Sequence, residues 1–240
     1  MSVVKLKICE IFSTIQSEGK YAGKAAIFIR LFGTNLTNKD DLNKYASDES
    51  SKSRNCRFLT IPEILEVFSS LKDKNNHWVI GGGEPLLQQE GIVELIKEYE
   101  KLHGKKPFVE IETNGTILPL KELDENINAF NVSLLLSKSM DGSVNATLTQ
   151  RVVENSVKFF TASKKTTFKF LIQSAVDIQE LQEITNIYKI KPETIWLVPS
   201  ATTRLDLSKL TLLCWNFCIK YGYWLSSRFQ ILVFENKKIT

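Results

Sequence analysis

Three stretches of this chain carry side chains whose types and spacing could do chemistry. The first, Glu10 to Gly23, reads EIFSTIQSEGKYAG. Gln16 offers both a donor and an acceptor, Glu18 can accept from N–H groups, and Arg30, shortly after, can pair with a carboxylate. The bland alternative is that Gln16 and Glu18 cap a turn before Gly19. The second, Val79 to Gln88, reads VIGGGEPLLQ. A glycine run at the end of an apolar strand lets backbone come close to a ligand, here at Gly82 and Gly83 with Glu84 beside them; the alternative is a tight turn. The third, VEIETNGT at Val109 to Thr116, sets Glu112 and Asn114 at the carboxyl end of an alternating strand, where parallel sheets bind ligands. Its alternative is an Asn-Gly turn with Glu112 on the rim. Ser133 closes the next apolar run, FNVS.

The elements that position these groups follow from the alternation of short apolar runs with amphipathic stretches, the βα pattern of a mostly parallel sheet faced by helices. Predicted strands are 25–32, 77–80, 108–112, 129–133, 167–172 and 194–198. Predicted helices are 61–72, 89–103, 149–162, 177–188 and 205–221, with Thr60 as the N-cap of the first and Pro62 early in it. This order fits an α/β fold, a partial (β/α)6 barrel. With 240 residues, 43% of them hydrophobic and 24% charged, the chain can bury one substantial core, so a single domain over 1–240 is expected. The polar stretch 40–55 reads as an exposed loop.

Composition also bounds partners and compartment. The net charge of +4 comes from scattered lysines, a solvated surface rather than a nucleic-acid groove, so direct nucleic-acid binding is not expected. No run is long and apolar enough for a membrane span, and MSVVKLKICEIF has no apolar signal region. A soluble, reducing, intracellular compartment is expected, the cytoplasm by default and an organelle as the alternative. Cys9 and Cys56 read as scattered thiols, and Cys214 and Cys218 as small apolar residues sharing a helix face. His77 and His103 read as structural or exposed.

Over nearly its whole length the chain resembles the 7-carboxy-7-deazaguanine synthases of queuosine biosynthesis, members of the radical S-adenosylmethionine (SAM) superfamily. EIFSTIQSEGKYAG matches that family's EIFYSIQGEGPYAG, VIGGGEPLLQ its VITGGEPLLQ, and VEIETNGT is intact; FKFLI and LVPSATTR resemble its FKFVI and LMPEGTTR. The resemblance implies that Gln16, Glu18, Gly19 and Arg30 meet a pterin-like substrate. It implies that Gly82, Gly83, Glu84, Glu112, Asn114 and Ser133 line a SAM pocket.

The departures are equally specific. IRLFGTNLTNKDDLNKYA, from Ile29 to Ala46, stands where the family reads approximately RLAGCNLRCPWCDTKYA, so the three cluster cysteines fall on Thr34, Asn38 and Asp41. Those side chains offer a hydroxyl, an amide and a carboxylate in place of thiolates. Ser17 replaces a glycine, Gly81 a threonine, Leu134-Leu135 a Pro-Lys pair, and Gln230 a histidine. A hard-ion site at Asp40, Asp41 and Asn43 is not favoured, since the family's Mg²⁺-binding threonine is Asn43 here. The expectation is a relative without a 4Fe-4S cluster, with SAM or S-adenosylhomocysteine a doubtful ligand, without Mg²⁺ and without catalytic residues. Such a relative serves as a structural or interaction subunit, as a homodimer or in a larger assembly, or as a nucleoside- or pterin-binding module. The alternative is an enzyme of 7-deazaguanine biosynthesis acting on 6-carboxytetrahydropterin with SAM.

Overall fold

The computed structural model describes residues 3–36, 56–71, 76–137 and 151–235. Asn38, Asp41 and the 40–55 stretch lie outside them. Strand β1 (Lys5–Ile15) and β2 (Ala25–Leu31) form an antiparallel hairpin, and β3 (Arg57–Thr60) adds antiparallel to the other side of β1. From β2 onward the sheet is parallel, through β4 (His77–Gly82), β5 (Phe108–Thr113), β6 (Ala129–Ser133), β7 (Thr166–Ile172), β8 (Ile195–Pro199) and β9 (Trp224–Leu225). The order is β3-β1-β2-β4-β5-β6-β7-β8-β9, so β3 and β9 remain as edges and the barrel is partial.

The helices are α1 (Ile61–Ser70), α2 (Gln89–His103), α3 (Lys121–Asn126), α4 (Glu154–Ala162), α5 (Ala175–Tyr188), α6 (Arg204–Tyr221) and α7 (Phe229–Phe234). Local chemistry sets several of their ends. Thr60 and Glu63 form a capping box at the start of α1, with Pro62 in its first turn. Ser174 and Asp177 do the same for α5, and α2 and α6 stop at Gly104 and Gly222 in the left-handed region. Covered by helices, β4 and β7 are almost continuously buried, which is why their sequences read as apolar runs. The core holds Trp78, Phe130, Phe160, Phe168 and Phe170, all fully buried.

On β5, β6 and β7 the second face is not apolar. Glu112 lies opposite Asn131, Asn131 opposite Thr167, and Ser133 opposite Lys169. With the two-residue alternation of strands, Glu110, Glu112, Asn131, Ser133, Thr167 and Lys169 therefore share one face. Across the open side, the chain after β9 returns to the β1–β2 hairpin. The backbone N–H of Gly19 donates to Ser226 Oγ at 2.8 Å, and that of Phe229 to the Ser17 carbonyl at 3.2 Å.

Cys9 and Cys56 are not the scattered thiols of the sequence reading, whereas Cys214 and Cys218 do sit together on one helix. Antiparallel pairing of Ile8 with Arg57 sets Cys9 beside Cys56, their Cα atoms 4.0 Å apart, and the two are joined by a disulfide. Cys214 and Cys218 are free on α6; burial pushes Cys214 up to about 12 and Cys218 up to about 11, so both are neutral thiols. Among the described residues no helix is long and apolar enough to cross a membrane.

Candidate functional site

Two groups of polar residues sit on the inner side of the sheet, one at the strand exits and one deeper. At the exits, Glu84 is fully buried and its carboxylate accepts from the backbone N–H of Leu86 (3.0 Å), from Thr113 Oγ1 (2.8 Å) and from the backbone N–H of Asn114 (2.8 Å). Burial pushes its carboxyl up, against those three hydrogen bonds. Asn114 in turn donates to Asn35 Oδ1 and accepts from Thr116 N and Oγ1, while Asn35 donates to Thr116 Oγ1. Gly83 is held by the chain itself: a Cβ there would come within 1.8 Å of the Gly33 carbonyl oxygen. The close approach that the glycine run permits is thus made at Gly83 by the loop after β2.

Deeper inside, Gln16, Glu18, Glu112, Lys169, Arg228 and Gln230 form one array. Glu18 accepts from Arg228 Nε at 2.9 Å and from Gln230 Nε2 at 2.8 Å, with Lys169 Nζ 3.6 Å from its other oxygen. Burial alone would raise the Glu18 carboxyl, but Arg228 and Lys169 outweigh it and hold it at about 2. Lys169 Nζ lies 2.5 Å from Glu112 Oε2, and the other Glu112 oxygen accepts from Gln16 Nε2 (3.0 Å) and Asn131 Nδ2 (3.1 Å). Burial by itself would discharge Lys169; the carboxylates of Glu112 and Glu18 reverse that and raise it. Glu112 and Phe28 pack closely against Gly81, where a Cβ would meet Glu112 Cβ at 3.2 Å and the Phe28 ring at 3.4 Å.

Two atoms at the margins of this array have no partner among the described residues although both are buried: Arg30 Nε and Gln230 Oε1. Arg30 Nη1 pairs with Glu10 at 3.1 Å, and its guanidinium lies over the Phe12 and Phe28 rings at 5.7 and 6.0 Å. Strand pairing sets Arg30 opposite Gly81, next to the position of Glu112. Such an arrangement can pair with a carboxylate at Arg30 and accept ring N–H groups at Glu112.

The fold thus gathers the sequence-predicted residues into two sets. Gln16, Glu18, Gly19, Arg30 and Glu112 belong to the interior or its hairpin lid; Gly82, Gly83, Glu84 and Asn114 belong to the exits. Ser133 shares the interior face with Lys169. Ser17 needs no left-handed backbone, because Lys189 and Glu235 are the non-glycine residues with positive φ among those described. The leucines that replace the family's Pro-Lys pair, Leu134 and Leu135, are buried. Sequence reasoning missed the joint role of Lys169, Arg228, Asn131 and Glu110. For Lys169, Asn131 and Glu110 the available signal was a charged or amide residue in a strand that is otherwise apolar; Arg228 lies outside any strand.

A mostly parallel, unclosed sheet with its polar groups turned inward is the partial barrel of radical SAM proteins, and a model of the radical SAM superfamily matches residues 38–138. A 7-carboxy-7-deazaguanine synthase from Hyperthermus butylicus is 30% identical over 95% of this chain and 92% of its own length. One from Pyrobaculum aerophilum is 27% identical over 98% and 97%, and one from Clostridium acetobutylicum 32% identical over 79% and 85%. The chain belongs to the 7-carboxy-7-deazaguanine synthase family. The crystal structure of QueE from Escherichia coli shares the fold, with a TM-score of 0.65 at 24% identity over 92% of this chain and 93% of that one.

These matches overturn the expectation of a chain without an iron-sulfur cluster, with SAM a doubtful ligand and without Mg²⁺. That expectation rested on three side chains, whereas the superfamily match begins at residue 38 and runs through the sheet to 138, and the relatives along nearly the whole chain are named as synthases. The side chains at the β2 exit are nonetheless no thiolate donor set. Residues 10–55 contain no cysteine, and Thr34 Oγ1 is engaged locally, donating to the Leu36 carbonyl and accepting from its N–H.

Proposed function

We propose that this chain binds a planar, carboxylate-bearing heterocycle of the pterin or deazapurine class in the interior of its partial barrel. The observation that carries this reading is the pair of buried, unpartnered atoms, Arg30 Nε and Gln230 Oε1, at the margins of the interior array. A buried polar atom without a partner costs about 1–3 kcal/mol, which a bound ligand recovers by supplying the missing hydrogen bond. In this reading Arg30 takes the ligand carboxylate, Glu112 and Gln16 read its N–H and carbonyl edges, and Phe12 and Phe28 cover one side of the ring. Family membership supports the ligand class, since the family is named for a carboxylated deazaguanine.

Calorimetric titration with 7-carboxy-7-deazaguanine and with 6-carboxytetrahydropterin tests the proposal. Saturable binding that weakens at least tenfold in Arg30→Ala is expected, and no binding of either compound overturns it. The same membership favours turnover of the ligand as a second reading. Incubation of 6-carboxytetrahydropterin with SAM, iron, sulfide and reductant, followed by mass analysis, separates an enzyme, which forms 7-carboxy-7-deazaguanine, from a binding module, which does not.

An interaction role is favoured by one further observation. On α6, Leu205, Leu212, Trp215 and Ile219 are all more than half exposed and recur at seven-, three- and four-residue spacings along one side. A row of exposed apolar residues of this kind suits pairing with a second copy of the chain. Light scattering of the wild type and of Leu212→Glu tests it, and a wild-type monomer rejects it.

A further inference from the structure

We propose that His77 is a positioning residue for the interior site, fixing the orientation of Glu112 from the opposite, amino-terminal end of the strands. The inference rests on the reading of the interior as the ligand site. His77 opens β4 and is buried, with the Tyr21 and Phe108 rings edge-on to it at 5.9 and 4.7 Å between centroids. Its Nε2 lies 2.5 Å from Glu110 Oε1, and with Glu110 ionised that nitrogen carries the proton and donates. Glu110 is completely buried, so each of its oxygens needs a donor.

The second oxygen of Glu110 draws on the groups that hold Glu112. Asn131 Nδ2 donates to Glu110 Oε2 at 2.6 Å and to Glu112 Oε1 at 3.1 Å. Gln16 Nε2 divides in the same way, 3.5 Å from Glu110 and 3.0 Å from Glu112. Thr167 Oγ1 donates to Asn131 Oδ1 at 3.2 Å, which fixes the direction of that amide and keeps its NH2 turned to the two carboxylates. The result is an unbroken line from His77 through Glu110, Asn131 and Gln16 to Glu112 and Lys169.

The competition between the two carboxylates gives His77 its role. While His77 satisfies one oxygen of Glu110, the amides of Asn131 and Gln16 can be shared with Glu112. Without that donor, a buried carboxylate is left short of hydrogen bonds and takes both amides for itself. Glu112 then keeps only Lys169, swings toward it, and no longer presents its first oxygen to a ring N–H.

His77→Phe and His77→Gln separate positioning from packing. Phenylalanine keeps an aromatic ring between Tyr21 and Phe108 but gives Glu110 no donor; glutamine gives up the ring but keeps an N–H donor. Titrated with 7-carboxy-7-deazaguanine at a temperature where circular dichroism shows each variant folded, His77→Phe is expected to bind at least tenfold more weakly than wild type. His77→Gln is expected to stay within threefold. Equal affinity in His77→Phe, or equal loss in both variants, overturns the proposal. If His77→Phe does not fold, Glu110→Gln carries the test: its neutral amide cannot accept from both His77 and Asn131, so a threefold or greater change is expected and affinity within twofold of wild type overturns the inference.

A ligand-free measurement keeps this link distinct from the site reading. The side-chain amide signals of Asn131 and Gln16 in a ¹⁵N correlation spectrum should shift in His77→Phe, or in Glu110→Gln if that variant carries the test, and return in His77→Gln. A wild type that does not bind the probe removes the ligand reading alone. Amide signals unmoved in these variants remove the positioning role.

Discussion

Glu84, buried at the exit of β4, and Glu112, partly buried in the interior array on the adjacent β5, are held in opposite ways. Glu84 is caged by neutral donors, two backbone N–H groups and one hydroxyl. Glu112 shares Lys169 with Glu18 and draws on amides that it also shares with Glu110. A cage of local neutral donors fixes backbone: it pins the turn after β4 to the end of β5. A shared array of charges leaves each member one substitution away from imbalance, and a ligand can bind there by exchanging one hydrogen bond for another. The difference teaches that burial alone does not identify the site; partners shared between several groups do.

The sharpest way to break the comparison is Lys169→Met. It removes the cation between two carboxylates and leaves Arg228 alone to offset them, and loss of one member of a buried ion pair costs about 3–5 kcal/mol. Urea denaturation should show a loss of that order at pH 7, with ligand binding abolished. A loss below about 1 kcal/mol would place the array in water rather than in the interior.

Next in size is the pH dependence carried by Glu18. Its carboxyl sits at about 2 when folded, below the ordinary value of 4.5. Its contribution is therefore present above pH 4.5 and is lost as pH falls toward 2, amounting to roughly 3 kcal/mol. Glu84 has the opposite sign: burial raises its carboxyl, so stability falls as pH rises through the ordinary carboxylate range. Chemical denaturation of Glu18→Gln between pH 3 and 7 should show a shallower acid-side loss than wild type. Glu84→Gln should show a shallower decline on the rising side, and slopes of the same sign in both variants would erase the distinction.

How much of this was legible in the sequence depends on where a strand lies. Strands β4 to β8 are parallel and covered, so their apolar runs announced them, and β6 matched its predicted bounds of 129–133. Strand β1, KLKICEIFSTI, went unread because it is antiparallel, half exposed and irregular in register between Ile8 and Glu10, which blurs its alternation. The six-residue helices α3 and α7 are too short to show a helical period. Of the site, Gln16, Glu18, Arg30 and Glu112 were named from their chemistry. Their partners Lys169 and Asn131 lie inside apolar strands, and only the pairing of β5, β6 and β7 brings them together. Arg228 comes from the far end of the chain, joined to Glu18 by closure of the open side. No local pattern encodes a contact across 210 residues.

That closure supplies the smallest and most specific prediction. The open barrel has no strand pairing between β9 and the β1–β2 hairpin, so Ser226 Oγ accepting from Gly19 N–H stands in for a ladder bond. Ser226 is buried, and Ser226→Ala removes the acceptor while changing volume little, leaving a buried N–H unpaired at a cost of about 1–2 kcal/mol. Because Gly19 adjoins Glu18, the same change should loosen the hairpin and weaken binding of 7-carboxy-7-deazaguanine about three- to tenfold. At the exits, Asn35→Ala removes one member of the Asn35–Asn114–Thr116 cluster, where Asn114 keeps Thr116 as a partner. It should cost under about 1 kcal/mol and leave that affinity unchanged. Hydrogen exchange at the Gly19 amide, faster in Ser226→Ala and unaltered in Asn35→Ala, would show the two regions responding independently; acceleration in both would join exits and interior into one cooperative unit.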